Sequence, residues 1–158
     1  MTDQAQHKET AEQILERAHS RAERMSLPYA GALTPREAFA LLQAEPKTKL
    51  IDVRTRAEWE WVGRVPGAVF IEWNTWPGDT RNPEFDRELL AKAPDKSQPA
   101  LFICRSGGRS HHAAALAKKL GYALAFNVLE GFEGDKDANG RRATVGGWKV
   151  AGLPWSQG

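Results

Sequence analysis

Ala11, Ile14, Leu15, Ala18, Ala22 and Met25 recur at three- and four-residue steps between charged positions, which predicts an amphipathic helix over residues 8–25 with a narrow, alanine-rich apolar stripe. Such a stripe is expected to lie on the surface of a domain, and Leu27-Pro28 ends the helix. Thr34-Pro35-Arg36-Glu37 is a capping box with proline at the first helical position, so a second helix runs from there to about Ala44. Four short apolar runs follow, each bounded by charge or by Gly and Pro: residues 50–54, 68–71, 100–104 and 126–129. They predict buried strands. Helices are expected between them near 56–62, over 84–92, and from Ser110 to Gly121. Strands alternating with helices imply right-handed crossovers and an open parallel sheet with helices on both faces, whose ligands belong at the carboxyl ends of the strands. The segment from Glu72 to Phe85 is predicted as a loop, with Trp73 and Trp76 as core filler in preference to a rim.

The chain has 158 residues, room for one domain with a real core. Its 22 Lys and Arg against 20 Asp and Glu leave a net charge of +2, too small and too dispersed to make nucleic acid a partner. No apolar run is long enough to span a bilayer, and the leader carries acidic residues throughout. A cytoplasmic protein without a membrane partner is therefore expected. The 1 cysteine excludes an internal disulfide and a multi-cysteine zinc site, so no metal and no cofactor are expected.

That cysteine, Cys104, ends the strongest strand signal and precedes Arg105-Ser106-Gly107-Gly108-Arg109 and a helix. Convergent backbone N–H groups, a helix N-terminus and neighbouring arginines each favour an anion, including a sulfur anion. Gly107 and Gly108 allow the positive φ that converging amides require. The loop therefore reads as an anion cradle around a reactive thiol.

Cys104-Arg105-Ser106-Gly107-Gly108-Arg109-Ser110 resembles the active-site loop of the rhodanese family, sulfurtransferases that hold sulfur as a cysteine persulfide. Leu50-Ile51-Asp52-Val53-Arg54 with Glu58-Trp59, then Gly63-Arg64-Val65-Pro66-Gly67-Ala68, then Val128-Leu129-Glu130-Gly131-Phe132 with Gly152-Leu153-Pro154 agree in the family's order. The resemblance implies a single rhodanese-like domain at residues 28–158, with a five-stranded parallel sheet, behind an N-terminal helical leader at 1–27. It implies that Cys104 is the nucleophile, that Arg105, Ser106, Gly107, Gly108 and Arg109 hold the substrate sulfur, and that Asp52 and Arg54 support the site. The implied partners are a small anionic sulfur donor such as thiosulfate and a thiol or cyanide acceptor, with a protein acceptor as a further option. Arg105 beside the cysteine favours a compact dianion as donor.

Two other classes compete. A cysteine phosphatase or arsenate reductase also uses a strand, a Cys loop and an Arg before a helix, but the four residues between Cys104 and Arg109 are one fewer than phosphatase loops hold, and Asp79 and Asp86 are unsupported candidates for its general acid. A carrier or redox sensor would hold the same persulfide without turnover. The chain departs from the family pattern at Arg64, where histidine is usual, so that a contact with an acid such as Glu58 is expected to become a salt bridge. It also departs at residues 133–145, an insertion of 13 residues before Trp148. Asp135-Lys136-Asp137-Ala138-Asn139-Gly140 imitates the first half of a calcium loop, but Gly146 stands where the bidentate glutamate belongs, so a solvated Asx-type turn is expected. His111 and His112 read as helix-face residues without a catalytic task, and His7 and His19 as surface.

Overall fold

The computed structural model describes residues 9–157, so His7 and the start of the leader lie outside the described residues. The elements are α1 (Ala11–Met25), β1 (Gly31–Leu33), α2 (Pro35–Ala44), β2 (Lys49–Asp52), α3 (Arg56–Trp61), β3 (Val69–Phe70), β4 (Asn74–Thr75), β5 (Thr80–Arg81), α4 (Phe85–Lys92), β6 (Ala100–Ile103), α5 (Gly108–Lys119) and β7 (Ala125–Val128). Thr10, Thr34 and Thr55 each close a reciprocal capping box at the start of α1, α2 and α3.

Five strands form one parallel sheet in the order β1-β7-β6-β2-β3, as the resemblance implies. Alternation along each strand divides the core between the two faces of the sheet. Ile51, Phe102, Cys104 and Ala125 meet Phe85 and Leu89 of α4 and Ala113 and Ala117 of α5. Leu50, Leu101, Ile103 and Phe126 meet Ile14 and Ala18 of α1 and Ala38 and Leu41 of α2. The most central strand, β6, thus delivers Cys104 at its carboxyl end with both faces covered.

The leader helix is more deeply engaged than a surface helix. Ile14 and Ala18 are fully buried, and a Cβ at Gly31 would stand 2.8 Å from the Ala18 backbone, so glycine there lets α1 lie against the edge strand β1. Arg17 and Arg21 clamp Glu37 of α2 at 2.6 and 2.7 Å, and Arg21 also donates to the Ala32 carbonyl. Burial alone would raise the Glu37 carboxyl, but Arg21, the Thr34 amide and Arg17 hold it down at about 2. His19, expected at the surface, is half-buried, with Nδ1 against the Ala30 carbonyl and its ring beside Phe126. Among the described residues no helix is long and apolar enough to cross a membrane.

Candidate active site

The loop after β6 is braced from behind. Phe132 N–H donates to the Cys104 carbonyl at 2.8 Å, and Glu133 and Gly134 N–H groups donate to the Arg105 carbonyl at 2.9 and 3.2 Å. The Gly107 carbonyl accepts from His111 N–H and from Asn127 Nδ2. With those carbonyls engaged outward, Gly107 at φ 106 turns its N–H onto Cys104 Sγ at 3.2 Å. The amides of Arg105 and Ser106 have no acceptor among the described residues. Those of Gly108 and Arg109 open α5, where no intrahelical partner exists. The result is a loop that turns one N–H onto a buried sulfur and leaves its neighbouring amides without acceptors.

Cys104 Sγ also lies 3.2 Å from Ser110 Oγ. The Ser110 hydroxyl donates to Asn127 Oδ1 at 2.6 Å, which ties the sulfur's neighbour to β7. Asn127 Nδ2 continues to Tyr29 OH at 3.4 Å, and Tyr29 OH meets His111 Nδ1 at 2.7 Å. Burial pushes the Tyr29 phenol up, so it stays protonated. Ser110 enters the sequence reading only as the last residue of the loop motif, and Asn127 and Tyr29 do not enter it as site residues. Asn127 looks like a strand residue in an apolar run, and Tyr29 stands 98 positions from it. A polar residue inside an otherwise buried strand was the available signal. His111 is half-buried and His112 exposed, neither in contact with the sulfur.

The predicted support pair is buried under the site. Arg54 and Asp52 are 0% and 1% exposed and form a bidentate pair at 2.6–3.1 Å. Arg54 Nη2 also donates to the Gly63 carbonyl, and its guanidinium lies 4.3 Å above the ring of Phe132, the residue whose amide holds Cys104. The pair therefore supports the corner that braces the loop.

Arg109 differs from expectation in its partner. Its guanidinium grips Glu58 of α3 with two bonds, 2.7 and 3.0 Å, whereas Arg64 stacks 4.2 Å over Trp59. The bidentate salt bridge on Glu58 thus comes from Arg109, which spans from the loop to α3. Burial alone would raise Glu58, but Arg109, through hydrogen bonds and charge, and Thr55 bring it down to about 2. The Arg105 side chain is exposed and its guanidinium has no hydrogen bond or ion pair among the described residues. It is the loop's uncompensated cation.

Opposite the loop, β4 and β5 form an antiparallel hairpin, missed in the sequence because each strand has 2 residues and the intervening Pro77 and Gly78 read as loop. Trp73 at its base is half-buried against Phe85 and Arg81, as filler. Trp76 at its tip is 63% exposed and belongs to a rim. Asp79 shares a cleft of about 460 Å³ with Trp76, Glu58, Arg105 and Arg109, and Asp86 pairs loosely with Arg81 instead. In the insertion, Asp137 accepts from the Arg141 and Asn139 amides and the Thr144 hydroxyl. These bonds, the Arg141 amide first, hold its carboxyl below the usual range. The carboxylate is consumed by the expected Asx-type turn.

The rhodanese-like domain model matches residues 34–138. An uncharacterised protein of Rickettsia conorii is 33% identical over 126 residues, covering 75% of this chain and 91% of its own length. MoeZ of Mycobacterium tuberculosis, a probable adenylyltransferase/sulfurtransferase, is 36% identical over 99 residues, 63% of this chain but 23% of MoeZ. The crystal structure of Rv0390 from M. tuberculosis is 43% identical, superposes with a TM-score of 0.76, and is covered over 99% of its length by 82% of this chain.

Proposed function

Because the chain belongs to the rhodanese-like domain family, we propose that it is a sulfurtransferase moving sulfane sulfur from an anionic donor such as thiosulfate to cyanide or a thiol, small or protein-borne, through a persulfide on Cys104. The observation that carries this reading is the loop after β6, which turns the Gly107 N–H onto a buried thiol and leaves the neighbouring amides without acceptors. On this reading the outer, negatively charged sulfur of a persulfide meets the N–H groups of that loop, whose fixed dipoles stabilise it without reorganising.

The chemistry runs in two displacements. The Cys104 sulfur anion attacks the outer sulfur of thiosulfate; the new S–S bond forms as the donor's S–S bond breaks, and sulfite leaves with the electron pair. An acceptor nucleophile then attacks the outer sulfur of the persulfide, and Cys104 departs again as an anion, so no external oxidant or reductant is consumed. Arg105 meets the negative charge of the donor, while Arg109, neutralised by Glu58, holds the loop to α3. Persistence of such a free thiol suits a reducing cytoplasm.

Intact mass after incubation with thiosulfate tests the reading. One added sulfur is expected on the wild-type protein and none on Cys104→Ser, whose melting temperature stays close to that of the wild type. A sulfur retained by the serine variant would overturn the assignment.

A further inference from the structure

The cleft over the loop is lined by two guanidinium groups and two carboxylates, Arg105, Arg109, Glu58 and Asp79. Arg109 and Glu58 saturate each other. Two charges of opposite sign remain open to a ligand. One is Arg105 on the loop; the other is Asp79 on the hairpin, where Asn74 Nδ2 takes Oδ1 at 3.1 Å and no partner among the described residues takes Oδ2. Trp76 adds an exposed aromatic surface beside them. A dianion entering this cleft gains Arg105 but also faces Asp79, whereas a ligand carrying one positive and one negative group is matched by both. The indole face of Trp76 further favours an ammonium over a carboxylate.

We propose that the cleft takes, as sulfur acceptor, a small zwitterionic thiol of the α-amino-acid type, its carboxylate on Arg105 and its ammonium on Asp79 and Trp76. This rests on the persulfide reading above and names the acceptor of its second half-reaction. The acceptor's thiolate attacks the outer sulfur of the Cys104 persulfide; a new S–S bond forms on the acceptor, the Cys104 S–S bond breaks, and Cys104 leaves as the anion. The products are the acceptor's persulfide and the unloaded protein, with atoms and electrons balanced.

The test uses the full chain, loaded with sulfur from thiosulfate or inorganic polysulfide and freed of excess donor, and follows loss of the added sulfur by intact mass. Four acceptors are compared at equal thiolate concentration: cysteine, 3-mercaptopropionate, which lacks the ammonium, cysteamine, which lacks the carboxylate, and 2-mercaptoethanol, which lacks both. Cysteine is expected to discharge the protein about threefold to tenfold faster than either singly charged thiol, an advantage that shrinks as salt screens the exposed charges. Asp79→Asn should slow cysteamine and speed 3-mercaptopropionate, and Arg105→Gln should do the reverse. That crossed pattern is not produced by a loosened fold, which slows every acceptor alike. Equal rates for all four thiols, as when Arg105 and Asp79 simply close on each other, or variants that change all rates in parallel, overturn the acceptor assignment and leave the persulfide standing. A wild-type protein that takes sulfur from neither donor overturns the persulfide reading and this inference with it.

Discussion

Behind Cys104, the loop carbonyls are tied to backbone amides of Phe132, Glu133 and Gly134, and the corner that supplies them rests on a buried Arg54–Asp52 pair. Across the cleft, the hairpin of β4 and β5 has 2 residues in each strand and carries its tip residues Trp76 and Asp79 in solvent. One side has its geometry fixed many times over; the other has little to hold it and little to lose when a side chain changes. Chemistry that depends on converging dipoles needs the first kind of construction, because a misplaced donor loses most of its effect. Choice of partner tolerates the second, and loops on a rigid scaffold are where such choice is made. Changes on the floor should therefore cost stability and sulfur loading together, whereas changes on the rim should cost partner preference alone.

The strongest way to break the floor is at Gly131. Its φ is +63, and an added Cβ would stand 2.5 Å from the Cys104 carbonyl oxygen and 2.6 Å from the Arg105 carbonyl carbon. Gly131→Ala should combine left-handed backbone strain with a clash against main chain that cannot rotate away, a loss of about 2–4 kcal/mol in urea unfolding. Sulfur loading should fall further than the folded fraction does, since the clash falls on the two carbonyls that orient the loop. A variant that unfolds normally and loads normally would show that the corner is not a brace.

Much of this floor was legible. A cysteine at the end of the best apolar run, two glycines and two arginines before a helix are neighbours in the chain, and the structure keeps them as one turn from β6 into α5. What escaped the sequence is pairing across distance. Glu58 lies 51 positions from Arg109, and with several arginines available nothing local chooses among them. The edge strand β1 escaped because 3 residues, Gly-Ala-Leu, carry no alternation to detect. The hairpin escapes for the same reason, so the sequence puts Trp76 in the core whereas it stands on the rim. Short elements owe their conformation to what they pack against, which periodicity does not record.

Glu58 offers a sharper, pH-resolved version of the comparison. Its carboxyl sits at about 2 in the folded protein, below the ordinary 4.5, so the Arg109 pair contributes stability that is complete above about pH 4.5 and is lost as pH falls toward 2. Glu37, also at about 2, loses its contribution in the same window. Glu58→Gln should cost about 2–3 kcal/mol at neutral pH by removing a partly buried, bidentate pair. The cost should shrink at about pH 3, where the wild type has lost much of the same interaction. Urea unfolding at the two pH values measures both, and a cost that stays constant with pH would place the stabilisation elsewhere.

On the rim, Trp76→Ala should leave unfolding within about 0.5 kcal/mol of wild type, because the side chain is 63% exposed. Discharge of the loaded protein to cysteine should nonetheless slow by about threefold, and discharge to cyanide, which has no group to rest on the indole, should change little. A large stability loss would mean that the hairpin is part of the scaffold after all, and the contrast between floor and rim would fail.

The smallest effect is expected from the insertion, because only its beginning touches the floor. Glu133 and Gly134 supply two of the brace's amides, so the dispensable part is 135–145 and not the whole of 133–145. Within that part, Asp137 is occupied by its own turn, and the links back to the brace are the Ala143 amide to the Glu133 carbonyl and Arg142 to the Gly134 carbonyl. The ends of the segment already touch: a Cβ on Gly134 would lie 2.4 Å from the Gly146 carbonyl oxygen. A short Gly-Ser link can therefore join them without moving either, and the entropy of closing so small a loop is modest. Replacing 135–145 should leave thiosulfate turnover within about threefold, less than about 0.7 kcal/mol on the barrier. Thermal melts of the wild type in EDTA and in calcium should coincide, since the carboxylate that a cation needs is already taken by the N–H groups of Asn139 and Arg141 and the hydroxyl of Thr144. A melting temperature several degrees higher in calcium, or a folded replacement without turnover, would show that the insertion reaches further into the site than its hydrogen bonds do.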